Sequence, residues 1–266
     1  MLRFLKDTRR YASYIFHSTK SDLKNEVANS YLNWIWWFVD PLLFMIIYSF
    51  VFGVVLNRGS VGVPFPLFVF VGLTIWNYFL KTVQHSTRIV RGNRSIVTKV
   101  YLPKFVLIYT TILEGLFKFA ISLSLAFMLM IFYKQPFTVY ALHIIPIILM
   151  FTVLIFGIST ILLNIGVYVN DIFNLVQAAL RLTFYLSGIF YSIRAAFSTE
   201  RLAPYMTLFL KLNPAAFTID AVREALLFQN TPDYKIICAW FGVGVVLSVI
   251  GVATIYHNEN NYVKII

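Results

Sequence analysis

The sequence predicts an all-α integral membrane protein of six transmembrane helices, with an amphipathic interfacial helix at the N-terminus and short re-entrant helices before the last span. Three observations carry that prediction. Of the 266 residues, 59% are hydrophobic and only 12% charged, where a soluble domain carries about 25% charged residues; the mean hydropathy is +0.77. Six apolar stretches approach or exceed the roughly 20 residues that a helix needs to cross the hydrocarbon core. Between two of them lie Lys81, Arg88, Arg91, Arg94, Lys99 and Lys104 with no acid among them. Short loops rich in Lys and Arg stay on the cytoplasmic side, so this loop orients the whole chain. The net charge of +11 is concentrated at the ends of apolar runs, which serves membrane orientation and argues against a nucleic-acid partner.

Residues 1–33 form the cytoplasmic interfacial segment. Phe4, Leu5, Thr8, Tyr11, Ala12, Ile15 and Phe16 fall at helical spacing, with Lys6, Arg9 and Arg10 off that stripe, the pattern of a helix lying in the interface plane. The first span, Trp34–Leu56, has no small-residue cleavage site behind it and serves as its own insertion signal. The others are Phe65–His85, Phe105–Tyr133, Tyr140–Val169, Ile172–Ile193 and Ile236–Tyr256. An even number with a cytoplasmic start places both termini inside, so 34–256 is the transmembrane domain, 86–104 its cytoplasmic loop and 257–266 a cytoplasmic tail. The outer loops 57–64 and 134–139 carry one basic residue each, Arg58 and Lys134.

The region before the last span is more polar. Arg194, Arg201, Lys211, Arg223 and Lys235 are nearly offset by Glu200, Asp220, Glu224 and Asp233. The apolar clusters Tyr205–Leu212 and Ala215–Phe228 are too short to span and are broken at Asn213-Pro214, where proline interrupts the helical ladder. We read 198–233 as short helices dipping partway into the membrane; an ordered outer loop is the alternative.

Chemistry has little to stand on. No GxxxxGK[ST], HExxH or GxSxG pattern occurs, Cys238 is the only cysteine, and His17, His85, His143 and His257 are scattered. The expectation is no catalytic residue, no metal and no cofactor in this chain. Within the spans, Glu114 and Lys118 stand four apart in the order that favours an ion pair, either a structural couple facing the bundle interior or a contact for substrate. Arg181 shares a face with Asn174 and Gln177 on the fifth span, as a pathway wall able to meet a phosphate or as a polar clamp between helices. Trp34, Trp36 and Trp37 open the first span at the inner interface, and Phe184, Tyr185, Phe190 and Tyr191 lie deeper or near the outer end. Such rings pack as belt and core, and as a set they also offer stacking faces to sugars. The pathway candidates are therefore Trp34, Trp37, Arg181, Tyr185, Phe190 and Tyr191.

The order of these parts resembles the membrane subunits of ABC-2-type exporters that move lipid-linked polysaccharides and polyol phosphates. The segments are Asp22-Leu23-Lys24, Ser30-Tyr31-Leu32, Trp36-Trp37 and Pro41-Leu42, with Asn33 where a glycine is frequent. They continue with Gly62-Val63-Pro64-Phe65, Gly72-Leu73, Trp76, Asn93-Arg94 and Lys99-Val100-Tyr101-Leu102-Pro103. The last are Ala179-Leu180-Arg181-Leu182, Gly188-Ile189-Phe190-Tyr191, Leu212-Asn213-Pro214 and Ala221-Val222-Arg223-Glu224-Ala225-Leu226-Leu227. Their order and spacing hold nearly end to end. Gly62–Phe65 and Arg181–Tyr191 look closest to the wall teichoic acid branch; O-antigen or capsule export is the alternative.

The resemblance implies a homodimer in the bacterial plasma membrane, bound to two separate ATPase subunits that hold ATP and Mg, with a lipid-linked polymer as substrate. It implies a coupling helix around Asn93–Lys99, with Ile96 and Val97 as apolar knobs and Arg91, Arg94 and Lys99 as charged flanks, and a smaller contact near Asp171. Asn213, Pro214, Asp220 and Arg223 would belong to an outer gate. Two rival classes are a membrane enzyme acting on lipid-linked glycans and a passive channel.

Overall fold

The computed structural model describes residues 2–28, 31–57, 62–197 and 203–265, and among these every regular element is helical. Ser30, Arg58, Glu200 and Arg201 lie outside the described residues. The N-terminal segment is two helices, α1 (Leu2–Arg10) and α2 (Ala12–Val27), parted at Tyr11. The predicted stripe is divided. The Phe4 ring packs 5.0 Å from that of Phe105, and Ile15, Thr19, Leu23 and Val27 are buried. Leu5 and Phe16 are exposed, 63% and 69%, and are the residues left to face lipid.

The first span begins with a 3₁₀ turn at Asn33–Ile35, where Asn33 takes φ +48°. That left-handed backbone is a glycine conformation that asparagine also tolerates. Helix α3 (Trp36–Tyr48) follows and relaxes into a π-helical turn at Ser49–Val55. Next come α4 (Phe65–Ser86), the single-turn helices α5 (Ile89–Gly92) and α6 (Arg94–Val97), and the long α7 (Phe105–Phe132). Helix α4 is the centre of the bundle: 78% of its most apolar window is buried, against 11% for the first span. The first span thus stands at the periphery with Phe44, Ile46 and Ile47 outward.

Helix α8 (Ile144–Tyr168) pairs closely with the last helix, α13 (Tyr234–Ile265). Glycine permits this approach, since a Cβ on Gly157 would lie 2.8 Å from the Gly244 carbonyl oxygen. Small residues that let backbones touch drive helix association where lipid removes the hydrophobic gain. Residues 257–265, expected as a tail, are the last turns of α13, with Tyr262 buried and hydrogen-bonded to Asn164.

Among the described residues, five helices are long and apolar enough to cross a membrane. The expected fifth span, Ile172–Ile193, is not one of them: α9 (Ile172–Leu186) has 15 residues, about 22 Å of helix against a core of about 30 Å. It stops because Gly188 turns to φ +68° and the carbonyls of Gly188 and Ile189 are taken by the Arg223 guanidinium, at 2.7 and 2.8 Å. A side chain satisfies the groups that a further helical turn would otherwise satisfy.

The chain then forms α10 (Ile193–Ala196), α11 (Ala203–Leu212) and α12 (Pro214–Leu226). The break falls at the expected place: Asn213 Oδ1 accepts from the Ala216 amide at 3.1 Å and caps α12, whose first residue is Pro214. Helix α12 is buried along nearly its whole length and packs against α4 and α8. It is part of the bundle.

Candidate coupling face and intramembrane vestibule

The basic loop is held to the helix ends beside it. Asn93 Nδ2 donates to the Ile89 carbonyl at 2.9 Å and closes α5. Arg91 Nη2 donates to the Val167 carbonyl at the end of α8, at 2.9 Å. The Arg88 guanidinium lies 3.4 Å from the centroid of the Phe173 ring on α9, a cation–π geometry. At Gly166 a Cβ would collide with the Thr87 carbonyl, so glycine lets the end of α8 rest on the turn after α4. These contacts join the loop, α8 and the start of α9 into one unit.

On that unit Arg91, Arg94 and Lys99 are exposed and Ile96 is half-buried. Val97 points inward, 4% exposed, because it shares the inner face with Ile89 and Val90. It is therefore unavailable as a knob in this conformation. Val100, 58% exposed, stands one turn beyond Ile96 and is the exposed apolar side chain beside it, at the i, i+4 spacing that the sequence already showed. Asp171 is exposed just before α9.

The loop is also fastened to both chain ends. Arg3 Nη2 donates to the Tyr101 hydroxyl at 2.7 Å and pairs with Glu259 Oε2 at 3.2 Å. The Tyr256 hydroxyl donates to Asp7 Oδ2 at 2.6 Å, and the Tyr11 hydroxyl to the Tyr101 carbonyl at 3.2 Å. None of these long-range pairs has a sequence signature.

A second site lies between α2, α3, α4 and α7. Lys118 Nζ is 2.6 Å from Glu114 Oε1 and 2.5 Å from Glu26 Oε2, so the pair read from the i, i+4 spacing is a triad. Glu26, 92 residues away in sequence, gave no signal. The triad borders two adjoining cavities of about 310 and 370 Å³. The first is lined by Trp36, Trp37, Asp40, Asn77, Tyr78 and Lys81 among others, and the second reaches toward His85 and Arg88. On α2, burial and then the Glu114 carboxylate push Asp22 above its ordinary pKa.

The pathway candidates fall in different places. Trp37 lines the vestibule, with Trp34 4.9 Å away ring to ring and Phe117 edge-on at 5.5 Å. Arg181 and Tyr185 are exposed on the outer side of α9, and the Tyr191 hydroxyl donates to the Tyr185 carbonyl at 3.1 Å. Phe190 is a core residue, 4% exposed and stacked 4.2 Å from Phe52. A single chain does not assemble these residues into one path.

The gate candidates form a fastened cluster. Arg223 is 3% exposed, and besides Gly188 and Ile189 it donates to the Phe68 carbonyl from Nε at 3.1 Å and from Nη2 at 2.9 Å. Asp220 and Glu224 both pair with Arg194, at 3.0 and 3.2 Å. Asn213 Nδ2 reaches the Leu186 carbonyl at 3.4 Å. Arg223 is thus a pin between α4, α12 and the turn after α9, with no freedom to act as a moving gate on its own.

Comparison with known proteins places this architecture in a family. The profile of the ABC-2 type transporter family matches residues 14–227. The chain is similar to the O-antigen export system permease protein RfbA of Myxococcus xanthus, 27% identical over 248 residues covering 93% of each chain. It is also similar to a protein of that name from Klebsiella pneumoniae, 29% identical over 239 residues and 88% of each chain. The chain belongs to the ABC-2 type transporter family: it is a multi-pass integral membrane permease. Membership implies a separate ATPase subunit as partner.

Proposed function

We propose that this chain is the membrane half of an ATP-driven exporter that carries a lipid-linked polysaccharide of the O-antigen class out of the cytoplasm. The polymer class is the one for which the relatives are named, the alternative to wall teichoic acid in the sequence reading. Two copies of the chain work with two ATPase subunits, which hold ATP and Mg; both termini are cytoplasmic in the plasma membrane, held on one side by the Arg3–Glu259 pair, with the short α9 making the sixth crossing from the basic loop, where Phe173 meets Arg88, to the Phe68 end of α4.

One observation carries the mechanism: the basic loop is bound to α8 and α9 through Arg91, Arg88 and the Gly166 contact. A push on Arg94, Ile96 and Lys99 therefore moves two membrane helices and not a slack loop. The loop has no acid between Lys81 and Lys104, which suits an acidic groove on the ATPase. Rigid-body shifts of packed helices are the established way such a push opens a path. The dimer is supported by α9, whose exposed Arg181 would be costly against lipid and calls for protein or water cover.

The test is genetic and biochemical. Depleting the chain should trap lipid-linked polymer on the cytoplasmic leaflet, and wild-type chain but not Ile96→Asp should restore export. Export that continues without the chain would sink the proposal.

A further inference from the structure

A polar pocket and an apolar cleft lie in line along α13, and we propose that together they bind one anionic phospholipid, its phosphate in the pocket and an acyl chain in the cleft. Glu259 lines the pocket, and Val245 and Val252 line the cleft. These three residues are seven apart and share one face of the helix, with Glu259 about 10 Å along the axis from Val252. Helix α7 supplies a second wall to both: its N-cap residue Lys104 borders the pocket, and Tyr109 and Ile112 border the cleft. Lys104 stands where a spanning helix begins, which is the level of lipid headgroups. A charged site at that level, continued by an apolar cleft about two turns deeper, has the polarity of a membrane lipid.

The pocket, about 310 Å³, is lined by Lys99, Tyr101, Lys104 and Glu259 among others. Glu259 Oε2 is taken by Arg3 at 3.2 Å, which leaves Lys99 and Lys104 unmatched. Lys104 is only 3% exposed. Among the described residues its ammonium makes no hydrogen bond or ion pair, and the centroid of the Tyr101 ring is 6.0 Å from Nζ, the outer limit of a cation–π contact. A buried ammonium calls for a counter-charge and for acceptors. Burial lowers the pKa of Lys104, with Glu259 acting the other way; a phosphate oxygen would favour the charged form. The cleft, about 270 Å³, has Phe4, Phe156 and Val249 in its lining and, among the described residues, no charged side chain. Its hydroxyls are engaged: Thr152 pairs with Tyr78 at 3.0 Å, and Ser248 donates to the Gly244 carbonyl at 2.7 Å. Val245 and Val249 are exposed, so the cleft opens outward from the bundle. Basic pockets beside membrane helices take acidic headgroups, and a phosphodiester brings one negative charge to one buried ammonium.

Native mass spectrometry of the full chain in detergent tests this, with phosphatidylglycerol and phosphatidylcholine of identical acyl chains offered in equal amounts. One phosphatidylglycerol should stay bound per chain, preferred about tenfold. Lys104→Met should cut that preference to about twofold or less. Val249→Trp, which fills the cleft, should weaken retention of phosphatidylglycerol about tenfold. Lys211→Met, which removes an exposed charge on α11, should change neither. Unfolding temperatures near wild type would show that the variants fold. Equal retention of the two lipids, or wild-type behaviour in either folded site variant, overturns the lipid site. Release of phosphatidylglycerol by millimolar inorganic phosphate overturns it too, and would mark a site for free anions. The readout needs neither an ATPase nor a transported polymer, so it is judged apart from the exporter reading.

Discussion

At the residue scale, two charged side chains show how this protein tolerates charge inside an apolar bundle. Arg223 is surrounded by three backbone carbonyls and the face of Phe68. Arg223→Ala leaves those carbonyls without a donor and should cost about 3 kcal/mol, seen as a lower unfolding temperature in nanodiscs. Arg223→Lys keeps the charge, has no planar fork to divide among three carbonyls, and should recover less than half of that loss. Lys118 differs, because its partners are carboxylates. Lys118→Met strands Glu26 and Glu114 and should destabilise by about 2 kcal/mol. Adding Glu26→Gln and Glu114→Gln should return most of it, and a triple variant no more stable than Lys118→Met would contradict the triad. Of the triad, only the Glu114–Lys118 half was legible in sequence, because i, i+4 geometry is local. Glu26 and the carbonyls around Arg223 meet their partners only through the tertiary fold.

At the element scale, hydropathy located the helices and misjudged one end. The stretch Ile172–Ile193 is apolar throughout, so composition extends a span across Gly188. The helix ends earlier because Arg223, 35 residues later, captures the carbonyls there. The Asn213-Pro214 break was readable, since cap and proline act on their own neighbours. The burial of α12 was not, since its charges suggested a wetter place. The same scale holds the coupling prediction. Arg91→Ala removes the bond to Val167 while leaving Arg94, Ile96 and Lys99 on the surface. The complex with the ATPase should still assemble, and polymer export should fall about tenfold or more, a loss of at least about 1.4 kcal/mol in coupling. Export at the wild-type rate would show that the loop moves α8 by another route.

At the scale of the whole molecule, apolar side chains are exposed on several helices, among them the first span and α9, the latter carrying Leu182 and Tyr185 at 68% and 64% exposure. Lipid suits the apolar residues, but Arg181 on the same helix argues for a second copy over α9. In a Cys238→Ser background, Leu182→Cys should form cross-linked dimers in membranes. Ile145→Cys, equally exposed at 68% on α8, should not. Cross-linking at both positions, or only at Ile145, would place the partner elsewhere. Helix content and family were legible from hydropathy and motif order, because each is a property of the chain read along its length. The vestibule was not, being assembled from four helices distant in sequence.

If the basic loop passes the work of an ATPase into the membrane helices, hydrolysis and export must depend on it together. The most direct measurement is ATP hydrolysis and polymer export together, in proteoliposomes holding the chain and its ATPase subunit, for wild type and Ile96→Asp. Hydrolysis and export should both require the complex, and Ile96→Asp should abolish export and at least halve chain-dependent hydrolysis. Hydrolysis by the chain alone, or export undiminished by Ile96→Asp, would contradict it.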